Sequence, residues 1–454
     1  MTKRILSTMM LLTSLLGGSI STALAANSAK AIWCESNQTL YFVYDNVSYS
    51  TDSSGNNTYD GYSITNYWEG TSVKEASGSG RCYTTSSVID YCKNVVIKEN
   101  FSSSGLTDCW GMFKDFKELE YVEGLNNMIT PSVTTTASMF QNCKKLASLN
   151  FSGVNTSNVQ YMKSMFEGCS ALVSTTSAPL DLSSFNTSKV TTMQSMFEGC
   201  SALTDLDLSC FNTGDSNTGR VTTMQSMFSG CTNLATLTLG NFNTSAVTEM
   251  INLFNNCKAL TTLDLSCFDT SAVIDMKKMF YNCEQLSSLD VTSFNTSEVT
   301  DMSEMFYKCG ALTSLKLFSF DVSKVTSMYS MFASCKALVT IYAESNWATV
   351  ATGLSSSTYM FDNCTNLKGA IAWSTNSDSD RSKVKFANLD GYFTSRSSLT
   401  MSFSPAGDQT ATVGTAFTEP TLSISALDLT DPSTLTITYS SSDPTVATVD
   451  AEVR

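Results

Sequence analysis

The chain holds 15 cysteines, and their spacing decides which chemistry they can do. Nine recur in one frame: Cys143, Cys169, Cys200, Cys231, Cys257, Cys283, Cys309, Cys335 and Cys364 each stand three residues after a Phe. That Phe follows Met in every copy but one, where Leu253 precedes Phe254, and an earlier copy at Met112-Phe113 carries Phe116 in the Cys slot. No Cys-x-x-Cys occurs, and the frame's steps follow a repeat rather than the ligand spacing of a metal site. The ladder therefore reads as reduced, buried thiols acting as small hydrophobes. Cys210 and Cys267 share another slot, two repeats apart; at about 4.8 Å per repeat they lie too far from each other for a disulfide. Cys34, Cys82, Cys92 and Cys109 fall outside the ladder, where an oxidising setting permits one or two disulfides.

The rest of the chain offers little catalytic material. It has no histidine, and so lacks the commonest general base and metal ligand. It has no glycine-rich phosphate loop and no paired-carboxylate motif. We expect no enzyme, no cofactor and no metal. A formal charge of −14 disfavours nucleic acid as a partner.

What the ladder does establish is a period. Phe254, Phe280, Phe306 and Phe332 are 26 residues apart, the range of a solenoid whose repeats bury their apolar faces only against neighbours. Within a copy, Leu263-x-Leu265 has the period of a short strand. Val273, Met276, Met279 and Phe280, spaced three and four apart, predict one face of a short helix. Thr270-Ser271 and Thr296-Ser297 stand where hydroxyls can cap that helix. Gly or Asn two residues after the Phe marks its end, while Lys308 and Ser334 break that preference and leave the left-handed turn optional there. The fold class is thus an α/β solenoid of short parallel strands and short helices, leucine-rich-repeat-like, covering residues 105–372 in about ten repeats of 26–31 residues.

Two copies carry extra residues around Ser174–Pro179 and Asp215–Gly219. Because they break the repeat, Ser174, Thr175, Thr176, Ser177, Asp215, Ser216, Asn217 and Thr218 are candidate binding-loop residues; neutral loop drift is the alternative.

Residues 1–25 read as a cleaved export signal: Lys3-Arg4, an apolar stretch to Ile20, then Ala23-Leu24-Ala25. No Cys near the cut favours a lipid anchor, and no later segment is apolar enough to span a membrane. Residues 26–104 read as a β-rich cap, whose Trp33, Tyr41, Tyr44, Tyr62, Tyr67 and Trp68 either pack the cap or form a carbohydrate platform. Residues 373–396 read as a closing cap or linker, with Phe386–Phe393 apolar enough for the last coil. Residues 397–454 read as short strands of an incomplete β-sandwich.

The run Phe242–Leu265, Phe-Asn-Thr-Ser-x-Val-Thr-x-Met followed by the Phe-x-x-Cys-x-x-Leu-x-x-Leu-x-Leu frame, resembles the Mycoplasma-type lipoprotein repeat of BspA-like leucine-rich-repeat surface proteins. Ser440–Val449 resembles the bacterial immunoglobulin-like group 2 module. The first resemblance implies a secreted or cell-surface location, and adhesion to a host, matrix or neighbouring-cell protein, with a glycan also possible. It brings no catalytic residues, and the chain lacks the lipobox Cys. Carbohydrate binding, or a structural envelope spacer without a ligand, are the alternatives.

Overall fold

The computed structural model describes residues 27–52, 57–69, 86–212, 221–370, 387–388, 391–394, 400–404 and 421–425. The chain divides into two units, Met1–Thr394 and Ser395–Arg454.

The first unit opens with β1 (Ser28–Cys34) and β2 (Thr39–Asp45), then a small ribbon of β3 (Thr58–Tyr59) and β4 (Tyr62–Ser63), then β5 (Asn66–Glu69), β6 (Asn94–Ile97) and β7 (Tyr121–Glu123). Their sheet runs β5-β1-β2-β6-β7. β1 pairs antiparallel with β2 and β5, whereas β2, β6 and β7 run parallel. Strand alternation sorts the side chains. Ala31, Trp33, Leu40 and Phe42 join the main core, while Ile32, Cys34, Tyr41 and Val43 form a second, small core against Tyr49, Tyr59 and Tyr67. Phe42 packs on Phe113 of the first repeat, centroids 5.9 Å apart, so the sheet covers that end of the stack.

Repeats then stack in register. Parallel bridges connect Asp108, Thr135, Tyr161, Thr192, Thr223, Glu249, Asp275, Asp301, Ser327 and Ser356 in turn, one residue per repeat. The predicted strand is present as β8 (Asp205–Asn212), β9 (Thr236–Asn241), β10 (Ser314–Lys316) and β11 (Thr340–Tyr342). The copies at 263–265 and 289–291 form no strand, although Leu263, Leu265, Leu289 and Val291 still point inward. β12 (Phe393–Thr394) adds to β11 in parallel, so Phe393 belongs to a closing coil as its apolar run predicted.

The predicted helix is absent. Val273, Met276, Met279, Phe280 and Cys283 are fully buried, but the segment that carries them is a succession of turns. The hydrogen bonds explain why. Met276, Lys278, Phe280 and Asn282 donate their N–H groups to the next repeat, at Asp301, Ser303, Met305 and Tyr307 (3.0, 2.9, 2.9 and 2.6 Å). The intervening Met279, Tyr281 and Cys283 donate three residues back. An α-helix would keep all these donors to itself; here alternate amides stitch repeats together. The geometry requires left-handed residues at Lys278 (φ 57°) and Asn282 (φ 59°). Lys308 (φ 58°) and Ser334 (φ 64°) adopt it too, so the left-handed turn is obligatory in every copy, not optional.

The threonine hydroxyls are also redeployed. Thr270 Oγ1 accepts from Asn295 N–H (2.8 Å) and donates to Asn295 O (2.9 Å), bridging to the next repeat instead of capping its own. Thr244 and Thr296 do the same with Asp269 and Asp321. The Asn or Asp before each Thr caps the Ser after it, as Asn295 Oδ1 does for Ser297 N–H at 3.0 Å.

In the interior, Phe228, Phe254, Phe280, Phe306 and Phe332 stack nearly parallel at 5.5–5.7 Å. Trp347, Tyr392 and Phe393 close the far end, with Phe361–Tyr392 at 5.1 Å and Trp347–Phe393 at 4.9 Å. In the second unit, β13 (Thr400–Ser404) and β14 (Thr421–Ser425) pair antiparallel. The Ser440–Val449 signature lies outside the described residues.

Candidate functional site

Every ladder cysteine is fully buried and free. The thiols do more than fill space: Cys283 Sγ donates to Phe254 O (3.2 Å), Cys309 to Phe280 O (3.2 Å) and Cys335 to Phe306 O (2.9 Å), each reaching one repeat back. Burial pushes the Cys169, Cys231 and Cys283 thiols up to about 12. Thiolate is the reactive form, so the ladder is chemically inert. Cys210 and Cys267 are half-buried, and Cys34, Cys92 and Cys109 are separate buried thiols, which removes a disulfide among those three; Cys82 lies outside the described residues. In the folded protein, iodoacetamide at pH 8 should modify Cys210 and Cys267 well before any ladder position. Mass mapping that finds early modification at Cys257 or Cys283 would contradict the packing.

Among the described residues, no group of three or more His, Cys, Asp or Glu side chains is placed to hold a metal. Glu249, Asp275 and Asp301 do align on successive repeats. Burial, then Asp301 and Glu249, raise the Asp275 carboxyl. Asp275 Oδ1 and Asp301 Oδ1 accept the N–H groups of Lys277 and Ser303 (2.8 and 2.7 Å), a turn-capping role.

The expected loops divide. Ser174 is buried; its Oγ accepts Leu180 N–H (3.0 Å), so it anchors the insertion. Thr175 and Ala178 form a small bridge, with Thr176, Ser177 and Pro179 exposed. Asp215, Ser216, Asn217 and Thr218 lie outside the described residues. The cap aromatics are mostly interior: Trp33 and Tyr41 are buried, and Tyr44, Tyr67 and Trp68 pack partly buried against the cores, leaving Tyr62 exposed.

Aromatic surface appears instead on the turn segments of four successive repeats. Tyr281 and Tyr307 follow Phe280 and Phe306, point outward, and stack at 4.7 Å. Tyr329 and Tyr359, on the next two repeats, are 39% and 50% exposed and meet edge-on at 6.0 Å. Lys278 Nζ sits 5.2 Å from the Tyr281 ring centre and 3.1 Å from Glu304, and Lys308 Nζ lies 5.4 Å from the Tyr307 ring centre. Beside them Asn282 Nδ2 donates to Asn256 Oδ1 (2.7 Å), while Asn282 Oδ1 is buried without a hydrogen-bond partner. The surface combines flat rings with a paired charge. Sequence reasoning passed over these tyrosines, although they are large residues at outward offsets of a known frame.

Among the described residues, no helix is long and apolar enough to cross a membrane. No curated protein matches the chain. A leucine-rich cell surface protein from Faecalibacterium prausnitzii A2-165 is similar at 15% identity and TM-score 0.27, over 75% of this chain and 86% of that one. An LRR protein of Leptospira interrogans is similar at 13% identity and TM-score 0.21, over 62% of this chain and 84% of that one. At those scores neither likeness bears on the present fold. The family model described as "Mycoplasma protein of unknown function, DUF285" matches residues 107–217, 211–314 and 285–394, more than half of the chain. The stacked repeats are therefore those of the DUF285 family, to which this chain belongs.

Proposed function

We propose that this chain is an exported, non-catalytic repeat protein of the cell surface that binds an extracellular macromolecule, most directly another protein. Its repeats read best as a leucine-rich-repeat-like solenoid in which turns replace the helices. The observation that carries the binding role is two tyrosine pairs on four consecutive repeats, the half-buried Tyr281–Tyr307 stack and the exposed Tyr329–Tyr359 pair. Tyrosine gives large contact area at low entropic cost and keeps a polar tip, hence its weight in interfaces. The exposed rings of Tyr329 and Tyr359 also favour a second reading, in which a glycan is the ligand.

The test compares the wild-type chain with a Tyr329→Ser/Tyr359→Ser double variant and with a variant shortened at 175–179. Each is measured against immobilised matrix proteins and a glycan array. The double variant should keep its urea midpoint and lose at least tenfold in affinity, about 1.4 kcal/mol. If both variants bind like the wild type, the tyrosine face is not the site. If no ligand binds any of them, the spacer reading takes over.

A further inference from the structure

Lys30 is a lysine whose side chain is fully buried, and its surroundings are arranged around its amine. In the β1–β5 register it stands opposite Glu69; in the β1–β2 register it stands opposite Val43, two residues from Asp45. Its Nζ lies 2.8 Å from Asp45 Oδ1 and 3.6 Å from Glu69 Oε1. The other oxygen of Asp45, Oδ2, accepts the Tyr49 hydroxyl at 2.9 Å. Glu69 is held from both sides, by the hydroxyls of Ser28 on Oε1 and Tyr67 on Oε2. Tyr49 packs against Tyr59 (5.6 Å) and Tyr67 (5.8 Å), walling the group on one side.

Lys30 is fully buried while Asp45 is half-buried and Glu69 exposed. Taking the ammonium out of water has a cost that such pairing only partly offsets, so stability alone gives weak reason to place it here. The arrangement has parts that an ion pair does not need. We propose that Lys30 and Asp45 condense to an intramolecular isopeptide bond, with Glu69 as the proton relay and Tyr49 as the donor that stabilises the oxyanion. Lys30 transfers one proton to the Asp45 carboxylate by way of Glu69, leaving a neutral amine and a carboxylic acid. The 2.8 Å contact at Oδ1 places Nζ beside the carboxyl group it must attack, and the reaction needs Nζ to reach a near-attack separation of about 3–3.5 Å from Cγ. Nζ then bonds to Cγ, and charge developing on Oδ2 is met by the Tyr49 hydroxyl. Glu69 carries a second proton from Nζ to Oδ1, the Cγ–Oδ1 bond breaks, and Oδ1 leaves as water. Oδ2 remains as the amide oxygen. No oxidant or co-reactant is required. The product clips β1 to β2 covalently at the start of the sheet, where the strands would otherwise begin to unzip.

Intact-mass measurement of the full exported chain tests this, alongside Lys30→Met and Glu69→Gln. The wild type should be lighter by one water than its sequence requires, and both variants should have their full mass. Proteolysis of the unfolded wild type should yield a branched peptide joining Lys30 to Asp45, with no tryptic cleavage after Lys30. A folded wild type at full mass, with free Lys30 after prolonged incubation, would overturn the proposal. If Glu69→Gln links as completely as the wild type, the bond stands without the relay assigned to Glu69, and that part of the mechanism is wrong.

Discussion

Phe280→Asp should abolish the cooperative unfolding of the repeat stack, whereas Phe280→Leu should only lower its stability. Phe280 is fully buried, with rings at 5.7 Å on one side and 5.6 Å on the other. Truncating such a ring costs about 3–5 kcal/mol. A carboxylate in its place adds the cost of an unpaired buried charge. Domains are stable by only about 5–15 kcal/mol, so the two terms together consume most or all of that margin. A stack of repeats also fails at a particular place, because each repeat is held only by its neighbours. Limited proteolysis of the Asp variant should therefore cut first near the Phe254–Phe306 repeats. Urea titration of an Asp variant that retains a wild-type midpoint would show that the aromatic column does not hold the repeats together.

The interior of this fold was readable because one offset table applies to every copy. The Met, Phe, Cys and Val positions assigned inward from periodicity, such as Met276, Phe280, Cys283 and Val273, are all buried. The backbone between them was not readable. Spacings of three and four bring side chains to one side in a helix, and also in a train of turns whose alternate amides bond outward to the next repeat. The distinction lies in φ. Asn282 signals a left-handed turn by its identity, but its partner position, Gly111 or Asn252 in two copies, elsewhere holds residues such as Ser138, Lys278, Glu304 or Tyr359 that carry no such signal. They tolerate the conformation because each such turn is locked between two others. The threonines were misassigned for the same reason: a hydroxyl at Thr270 looks like a helix cap until its neighbour Asn295, 25 residues on, is seen beside it.

The candidate surface was less legible than the core. Tyr281 and Tyr307 share the offset just after the ladder Phe, whereas Tyr329 and Tyr359 stand three and two residues before theirs, so no single column of the repeat announces all four. They become a group only when repeats stack about one strand spacing apart, as the 4.7 Å between Tyr281 and Tyr307 reflects. Lys30 was further out of reach. Nothing between Ala29 and Ala31 marks a buried ammonium, and its partners Asp45 and Glu69 come from strands whose order in the sheet the sequence does not reveal.

The thiol ladder should make the protein unusually sensitive to alkali. Burial raises Cys169, Cys231 and Cys283 from 9.0 to about 12, and raises Cys257, Cys309 and Cys335 as well. The folded pKa lies above the unfolded one, so the folded chain holds these protons more tightly. The stabilisation is complete below pH 9, and is lost as the pH rises from about 9 toward 12, because only the unfolded chain can then release the protons. Each pH unit above 9 costs on the order of 1 kcal/mol for each thiol that stays protonated in the folded chain. The three thiols at about 12 together remove a few kcal/mol by pH 10, a sizeable share of ordinary domain stability of about 5–15 kcal/mol. Urea midpoints measured at pH 7, 9 and 10 should therefore fall steeply over the last step. Cys283→Ala separates this from titration of surface tyrosines and lysines. It loses the Sγ bond to Phe254 O and starts less stable at pH 7, yet its stability should decline less steeply with pH, by one thiol's share. Identical slopes for the variant and the wild type would mean that Cys283 ionises as readily folded as unfolded, which its complete burial does not allow.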